Sequence, residues 1–384
     1  MDSQTRTRIS SIMVLVVCLI CSPTAYCQER VTPKASRGGK ELGQPWDQVP
    51  AGAKTLLPPE WPLPKTRSAW ENGQRQETRR VVLKCLGKLP PRPKPIAVKV
   101  LSREDKGTYF LERFEFHNGA DALVPGILLI PKNRNGKVPA IIGLHGHGCS
   151  RETICTDTDN SQCVGPMLVN KGYVVAAIDT YFCGDRSPRK IAGRSDRYRG
   201  ENEHTTFKLH LWMGWSLWGM MLRDQQCLID YLQTRPEVDP GKIGVTGMSM
   251  GGTGSWWLAA VDDRIQATVG VAGFTRYTQL IAHNGVRLHG VYYYVPEITR
   301  HFDTEAIYAL VAPRPMLMLS GDRDRGLPLD GIKILESKLG SVYRLYDRAD
   351  DFHSIVYRNT GHEYLPEMQT AMLAWFQKHL PVGK

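Results

Sequence analysis

Five short runs of apolar residues, separated by longer segments, constrain the fold of this chain more than any other feature. Each run is apolar at consecutive positions rather than at alternate ones, which predicts strands that are buried on both faces. Strands of this kind belong to a mostly parallel sheet with helices covering both faces, so the pattern predicts an α/β fold. The five runs are Val138–Leu144, Tyr173–Ile178, Ile243–Thr246, Ala267–Ala272 and Pro315–Ser320.

Helical segments and one hairpin complete the predicted domain. Apolar spacing predicts helices at Leu217–Leu232, Gly251–Val261 and Glu367–His379. Before the first buried run, Tyr109–Phe116 and Ala122–Ile130 flank a turn-forming segment, which predicts an antiparallel hairpin leading into the sheet. We therefore assign residues 101–384 to one α/β domain.

The preceding 73 residues, 28–100, form a segment rich in proline. Between its two proline clusters, Ser68–Leu86 has helical spacing and ends before Gly87, a common helix stop. The sequence predicts an N-terminal extension with one helix that lies across the larger domain.

Residues 1–27 have the pattern of a secretory signal. Arg6 and Arg8 precede the apolar stretch Ile12–Cys21, and small residues lie before Gln28. Ten apolar residues are too few to span a bilayer as a helix, which needs about 20. We expect cleavage after Cys27 and export to the periplasm or the extracellular space, with no stable membrane insertion afterwards. An uncleaved anchor and a lipoprotein signal are the alternatives.

Charge and cysteine content limit the choice of partners. The net charge is +11, but the chain contains no long Lys/Arg block, so we expect no nucleic-acid partner. The even number of cysteines after residue 27 would permit disulfides in an exported chain, and a bridge among Cys149, Cys155, Cys163 and Cys183 is one expectation. His145, His147 and Cys149 alternate like metal ligands but lack a C-x-x-C pair, so neither a metal nor a cofactor is predicted.

A glycine-rich turn, TGMSMGG at residues 246–252, lies between a predicted strand and a predicted helix. Gly247-Met248-Ser249-Met250-Gly251 matches G-x-S-x-G in the context that gives this motif its meaning. A sharp strand-to-helix turn would hold the Ser249 hydroxyl above the carboxyl end of the sheet. Ser249 is therefore the candidate nucleophile.

A serine nucleophile needs a base and a group that orients the base. Asp324 follows the Pro315–Ser320 strand, and His362 follows the predicted strand Ser354–Tyr357, in the chain order Ser, acid, His. Asp322 competes for the role of the acid, while His353 precedes its strand and would lie at the wrong edge of a parallel sheet. For the oxyanion donors we expect the backbone N–H groups of Met250 and His147.

With these residues, the chain resembles the α/β-hydrolase superfamily, and within it the dienelactone hydrolase and acetylxylan-esterase-like branch. The resemblance covers residues 100–384 and implies Ser249 as nucleophile, Asp324 as acid and His362 as base. It is carried by the stretches GLHGHG, GYVVAAIDTYFCGDR, RDQQCLIDYLQTRPEVDPGKIGVTGMSMGGTGSWWLAAVDDRI, APRPMLMLSGDRD and GHEY. Dienelactone hydrolases carry cysteine as the nucleophile, so serine favours ester hydrolysis. Glucuronoyl esterases have a different serine motif, which Met248 and Met250 do not match.

The expected function is that of an exported serine hydrolase that cleaves carboxylic esters, with acetyl esters of polysaccharide as one substrate class. The partner would be a small-molecule or oligosaccharide ester. A serine peptidase of prolyl-oligopeptidase type and a non-catalytic binding module on the same fold are the alternatives.

Two insertions are expected to overhang the carboxyl edge of the sheet, where ligands bind in such folds. The first, residues 186–199, is basic and suggests a preference for anionic substrates. The second spans residues 283–301. The candidate substrate-binding residues within them are Arg186, His289 and Tyr293.

Overall fold

The computed structural model describes residues 49–187 and 197–383. The predicted signal at residues 1–27 and the first part of the Pro-rich segment lie outside these ranges. The helices are α1 Arg67–Ala69, α2 Arg75–Leu86, α3 Arg151–Cys155, α4 Gly165–Asn170, α5 Arg197–Trp212, α6 Leu217–Leu232, α7 Met250–Val261, α8 Tyr277–Ala282, α9 Thr304–Ala309, α10 Leu329–Arg344 and α11 Pro366–His379. The strands are β1 Val98–Asp105, β2 Tyr109–His117, β3 Leu123–Pro131, β4 Val138–Leu144, β5 Val174–Ile178, β6 Val238–Met248, β7 Ile265–Val271, β8 Met316–Gly321 and β9 Phe352–Tyr357.

All nine strands join one sheet in the order β1-β2-β3-β5-β4-β6-β7-β8-β9. The first three strands and the β3–β5 pair are antiparallel, whereas the pairs from β5 to β9 are parallel. The predicted hairpin leading into a parallel sheet is therefore confirmed. Because the carboxyl ends of the parallel strands share one edge, the segments that follow β4, β6, β8 and β9 meet there.

Two glycines of β6 show that helices cover both faces of the sheet. A Cβ placed on Gly244 would meet side chains of Ile141 and of Phe376 on α11, whereas one placed on Gly247 would meet the backbone of Gly251 on α7. Positions three apart in a strand point to opposite faces, so α7 and α11 lie on opposite sides. The predicted α/β fold is confirmed.

The helix predicted at Ser68–Leu86 is present, in three connected parts. A short α1 continues through a π-helical turn, Trp70–Gln74, into α2. Trp70 and Val82 are completely buried in the core of the molecule. The guanidinium of Arg79 donates to the carbonyls of Ala260 and Val261, at 3.2 and 2.7 Å, where α7 ends. This segment is thus packed into the core of the α/β domain rather than attached at its surface.

Strand β1 was not predicted from the sequence. Its residues are exposed along most of their length, and it occupies the edge of the sheet, paired on one side with β2. An edge strand with two solvent-exposed faces needs no apolar pattern, so the periodicity of apolar residues does not indicate it. Because β1 begins at Val98, the sheet starts three residues before the predicted domain boundary at residue 101.

The expected disulfide among the four neighbouring cysteines is wrong. Cys155, Cys163 and Cys183 are free thiols, so no two of the four can be bridged to one another. Burial raises the pKa of the Cys163 thiol, and that of the Cys183 thiol, to about 11. Closeness along the chain was a weak guide, because a disulfide requires Cβ atoms only about 4 Å apart.

Within the described residues, no helix combines the length and the apolar character required to cross a bilayer.

Candidate active site

Ser249 occupies the strained turn that its flanking glycines predict. It lies between the last residue of β6 and the first of α7, with φ 59° and ψ −118°. A non-glycine residue seldom adopts a positive φ, and such strain concentrates at functional sites. The Ser249 N–H donates to the Val271 carbonyl at 2.8 Å, and its own carbonyl accepts from Thr253 N at 2.8 Å.

The three glycines of this turn are required by backbone atoms packed against them. A Cβ on Gly247 or Gly251 would collide with the carbonyl oxygen of Leu144, at the end of β4. A Cβ on Gly252 would collide with the carbonyl oxygen of Val271, at the end of β7. Helix α7 therefore approaches the ends of both neighbouring strands more closely than any larger residue would allow.

Asp324 and His362 form a direct pair at the same edge of the sheet. His362 Nδ1 lies 2.6 Å from Asp324 Oδ2. Since an ionised carboxylate only accepts, Nδ1 carries the proton and Nε2 is the free ring nitrogen of the neutral imidazole. The other carboxylate oxygen, Oδ1, accepts from Gly326 N at 2.9 Å, which fixes the orientation of the carboxylate.

Asp322 has a different role in the structure. Its Oδ1 accepts a hydrogen bond from the Thr360 N–H at 3.1 Å, and no hydrogen bond or ion pair joins it to His362. Asp322 thus connects the turn after β8 to the turn after β9, while Asp324 contacts the imidazole.

The pKa of His362 is raised from its ordinary value of 6.5. Burial acts to lower this pKa, but the hydrogen bond and the negative charge of Asp324 together outweigh burial. The imidazole is therefore a stronger base than an isolated histidine side chain.

One cavity of about 430 Å³ brings the candidate residues together. Ser249 and Met250 line it from the turn after β6, and Asp324 and His362 from the turns after β8 and β9. His147 lines it from the loop after β4. The four segments that the sequence singled out thus converge on one space.

The two predicted oxyanion donors are backbone amides at that cavity. Met250 is the first residue of α7, where an N–H has no acceptor within the helix. His147 lies in a tight turn closed by a hydrogen bond of 3.1 Å from Cys149 N to Gly146 O, with Gly148 at φ 75°. Across residues 49–187 and 197–383, no acceptor takes a hydrogen bond from the His147 N–H.

Glu203 on α5 contacts the site although its sequence context did not predict this. Its Oε2 lies 2.7 Å from His147 Nε2, and its Oε1 accepts from Tyr292 N at 3.1 Å. The side chain is 4% exposed. A glutamate in a polar segment gives no sequence signal of such a contact, because its partners lie 56 and 89 residues away.

Of the three predicted substrate-binding residues, only His289 lines the cavity that contains Ser249. Burial lowers the pKa of His289 to about 4, so the ring is neutral near pH 7. Its Nε2 is buried and meets no hydrogen-bond partner among the described residues. Tyr293 lies behind it, with ring centroids 5.0 Å apart, and lines a separate cavity, while Tyr292 takes the predicted place in the wall.

The prediction for Arg186 has to be corrected. Its guanidinium is buried, donates to Asp224 Oδ2 at 2.8 Å and stacks on the ring of Tyr181 at 3.9 Å. It does not line the cavity that contains Ser249. The buried carboxylate of Asp224 needs a cation, and Arg186 meets that need instead of facing solvent. Of the other basic residues of this insertion, Arg189, Lys190 and Arg194 lie outside the described residues.

No group of three or more His, Cys, Asp or Glu side chains within the described ranges is arranged to hold a metal ion. His145 is buried and contacts the Gly146 carbonyl and the backbone and hydroxyl of Thr180. Burial lowers the pKa of His145, so this ring braces the loop after β4 as a neutral group.

The sheet order, the serine at the turn between β6 and α7, and the acid and histidine after β8 and β9 define an α/β-hydrolase. The model of the abhydrolase family matches residues 63–360, and the chain belongs to that family. A Bacillus subtilis (strain 168) protein named as a candidate hydrolase, YtaP, is 34% identical over 312 residues, which are 80% of this chain and 100% of that protein. The predicted membership of the α/β-hydrolase superfamily is confirmed.

Solved structures with the same fold include carbohydrate esterases. A Bacteroides fragilis NCTC 9343 protein described as a candidate acetyl xylan esterase has a TM-score of 0.68 and 19% identity, covering 85% of this chain and 93% of its own. A glucuronoyl esterase from Solibacter usitatus has a TM-score of 0.63 and 16% identity, with 84% and 98% covered. At these identities the likeness establishes the shared fold.

Proposed function

We propose that this protein is a serine esterase that cleaves carboxylic esters through an acyl intermediate on Ser249. The observation that carries the proposal is the 2.6 Å contact between His362 and Asp324 beside a cavity that also contains Ser249 on its strained turn. A base, its orienting acid and a nucleophile held in a sharp turn are the parts that acyl transfer to serine requires.

The proposed reaction has two halves, acylation and deacylation of Ser249, and the base and the oxyanion donors act in both. His362 Nε2 takes the hydroxyl proton while Ser249 Oγ attacks the ester carbonyl, and the carbonyl oxygen becomes an oxyanion. The N–H groups of Met250 and His147 donate to that oxyanion. Collapse breaks the bond to the alcohol, which leaves with the proton from His362. Water then attacks the acyl-serine by the same steps and releases the acid and the free serine.

In this reaction Asp324 orients the imidazole of His362 and stabilises its positive charge. It holds the proton on Nδ1, so that Nε2 is available as the base, and it stabilises the imidazolium that forms after proton transfer. Its own orientation is fixed by Gly326 N. A rigid acid keeps the histidine in one tautomer and one position.

We propose saccharide-linked esters as the substrate class, including acetyl esters of polysaccharide. The structural neighbours described as an acetyl xylan esterase and a glucuronoyl esterase support this class. A sequence relative, the carbohydrate esterase MZ0003, is 26% identical over 193 residues, 46% of this chain and 43% of that protein. Polar groups in the cavity wall, including the neutral ring of His289, would suit sugar hydroxyls. The signal-like N-terminus would place the enzyme outside the cytoplasm, where such polymers are found.

A peptidase is the second candidate. A Bacillus subtilis (strain 168) protein named an uncharacterized peptidase, YuxL, is 28% identical over 176 residues, which are 40% of this chain but only 25% of that protein. A match over a quarter of that protein does not specify the acyl substrate, because a shared fold does not by itself define function.

A hydrolysis panel separates these candidates. The purified protein and Ser249→Ala are assayed on nitrophenyl acetate, acetylated xylan and an Xaa-Pro peptide, and each is treated with a serine-directed phosphonate. We expect ester hydrolysis and phosphonate labelling at Ser249 in the native protein, and neither in Ser249→Ala. Full esterase activity in Ser249→Ala, or labelling at another residue, would overturn the proposal, and peptide cleavage without ester cleavage would favour the peptidase.

A further inference from the structure

A second carboxylate–imidazole contact lies beside the proposed catalytic pair. The Glu203 carboxylate, almost completely buried, contacts the His147 ring through one oxygen and the Tyr292 N–H through the other. The His147 side chain is 44% exposed and lines the cavity that contains Ser249. A carboxylate is costly to bury unless both oxygens are satisfied, and here the satisfying groups belong to two walls of the catalytic cavity.

These contacts hold the loop after β4 at its tip. The base of that loop is fixed by Gly146 N, which donates to Gln162 Oε1 at 3.0 Å. The tip is the turn that contains His147. There the ring of His147 makes a polar contact with the side chain of Glu203. The ring also packs against Phe182 and Tyr292, at centroid distances of 5.9 and 5.1 Å.

The segment from Gly290 to Tyr292 contacts the other oxygen of the Glu203 carboxylate, Oε1. A Cβ on Gly290 would collide with Glu203 Oε1 and with the ring of Tyr292, so a glycine lets this segment approach the carboxylate. Glu203 therefore ties α5 to two loops that are 56 and 89 residues away in sequence.

We infer that Glu203 is a positioning residue that keeps the backbone N–H of His147 directed at the oxyanion. This inference rests on the proposed function, because it gives Glu203 an effect only through a donor that acts in acyl transfer. Removing one oxyanion donor costs about 10²–10³ in kcat in a well-studied serine protease. A donor that is present but loosely held should cost less, on the order of 10- to 100-fold.

The alternative, that Glu203 serves only to anchor α5, has a matched control on the same helix. His210, also on α5, has its Nε2 3.3 Å from Asp121 Oδ2, in a second carboxylate–histidine contact. Neither residue lines the catalytic cavity. Asp121 also accepts from the Tyr181 hydroxyl at 2.7 Å, a bond that the oxygen of an amide can keep. Asp121→Asn therefore weakens the contact with His210 on α5 and makes no direct change to the loop after β4.

The experiment compares Glu203→Ala, Glu203→Gln, His147→Ala and Asp121→Asn with the native protein. Each is assayed for kcat and KM on nitrophenyl acetate and for its thermal unfolding midpoint. Gln can keep both contacts, since its oxygen accepts from Tyr292 N and its amide can donate to the other tautomer of His147. We expect Glu203→Ala and His147→Ala to lose roughly 10- to 100-fold in kcat with KM changed less than about twofold. Glu203→Gln should stay within about threefold of the native kcat, and Asp121→Asn should lower the midpoint only.

Three results would overturn the inference: an unchanged kcat in folded Glu203→Ala, an equal loss in Glu203→Gln, or a loss confined to KM. If Glu203→Ala does not fold, His147→Ala and Glu203→Gln decide the question in the same way. Ser249→Ala is measured in parallel. Activity remaining in Ser249→Ala would refute the proposed function, whereas an inactive Ser249→Ala beside a fully active Glu203→Ala would refute only the positioning role.

Discussion

Two aspartates leave the same strand end two positions apart, and their hydrogen bonds separate their roles. Asp324 accepts from His362 and from Gly326 N, so both of its oxygens work to orient the imidazole. Asp322 accepts from Thr360 N and so fixes the turn that precedes His362. Side-chain alternation could not distinguish them from the sequence, because residues two apart point to the same side of an extended chain.

Replacing Asp324 should therefore affect the chemistry, and replacing Asp322 should affect mainly the fold. Asp324→Asn should lose on the order of 10²–10⁴ in kcat with KM little changed, because an amide favours the wrong imidazole tautomer. Asp322→Asn should lose less than about tenfold in kcat, or mainly lower the unfolding midpoint. Steady-state kinetics on the purified, folded variants test this, and the reverse ranking would assign the acid to Asp322.

The raised pKa of His362 predicts the acid side of the pH profile. The base must be neutral, so kcat/KM should fall as pH drops through a pKa above 6.5. In Asp324→Asn the raising influence is removed and burial, which lowers the pKa, remains, so the midpoint of the acid limb should move to lower pH. The residual activity of this variant, measured between pH 4 and pH 9 beside Asp322→Asn, tests the shift. A midpoint that does not move would separate Asp324 from the ionisation that controls the rate.

At the scale of elements, the turn between β6 and α7 is where strand, helix and neighbouring strands are most tightly constrained. Gly251 contributes no side chain, and the Leu144 carbonyl occupies the space that a Cβ would need. The neighbouring atom is backbone at the end of a buried strand, so it cannot move aside as a flexible side chain could.

Gly251→Ala should lower the free energy of unfolding by about 2 kcal/mol or more and should displace Ser249. Gly73→Ala is the control, because a Cβ there meets nothing within 4 Å and the residue lies in a helical turn. That variant should be neutral or slightly stabilising, since alanine loses less conformational entropy than glycine in a helix. Urea unfolding of both variants, with nitrophenyl acetate kinetics, measures the difference. Equal stability of the two would contradict the close approach described for α7.

Buried helices and strands could be predicted, because their burial requires apolar residues at regular positions in the sequence. Helix α6 matches the predicted range Leu217–Leu232, and each of the five apolar runs coincides with a strand, apart from the end residues Tyr173, Ala272 and Pro315. A run of consecutive apolar residues is typical of a buried strand. Strand β1 was missed since exposed edge residues carry no such pattern. The buried positions of Arg186 and Glu203 were not predicted. Their partners, Asp224 and His147, are distant in sequence, and the charge of a residue does not indicate whether its side chain is buried.

At the scale of the whole molecule, the net charge is +11, and two of the positive charges lie at the cavity that contains Ser249. Arg323 and Arg325 line it and are exposed. Arg323 donates to Asn359 Oδ1 at 2.7 Å, and neither arginine forms an ion pair with a described residue. The expected preference for anionic substrates, first placed on the insertion that contains Arg186, is better supported by these two side chains.

An ester that carries a carboxylate should therefore bind less well as salt rises, while a neutral ester should not respond. Screening weakens exposed charge interactions beyond about 10 Å at 0.1 M salt, so KM for the acidic ester should rise roughly threefold between low and high salt. Arg325→Gln should reduce that response. Arg134→Gln is the control, because Arg134 is exposed in the loop before β4, at the opposite edge of the parallel sheet from Ser249. Equal salt responses for both esters would count against an anionic preference.

Arg79 contacts the carbonyls at the end of α7, and this limits where the N-terminal segment can be separated from the rest of the chain. Helix α7 begins at the proposed nucleophile and ends under a guanidinium supplied by α2, some 180 residues earlier in the chain. A cation at the carboxyl end of a helix opposes its negative pole and satisfies carbonyls that have no partner within the helix. The segment before the sheet therefore helps to hold the helix that begins at the proposed nucleophile, Ser249. A chain in which another leader is joined at residue 101 would keep the contacts of Arg314 with the carbonyls of Ala259 and Asp262 but would lose those of Arg79 with Ala260 and Val261. A transferable form of this hydrolase should therefore include the N-terminal helix.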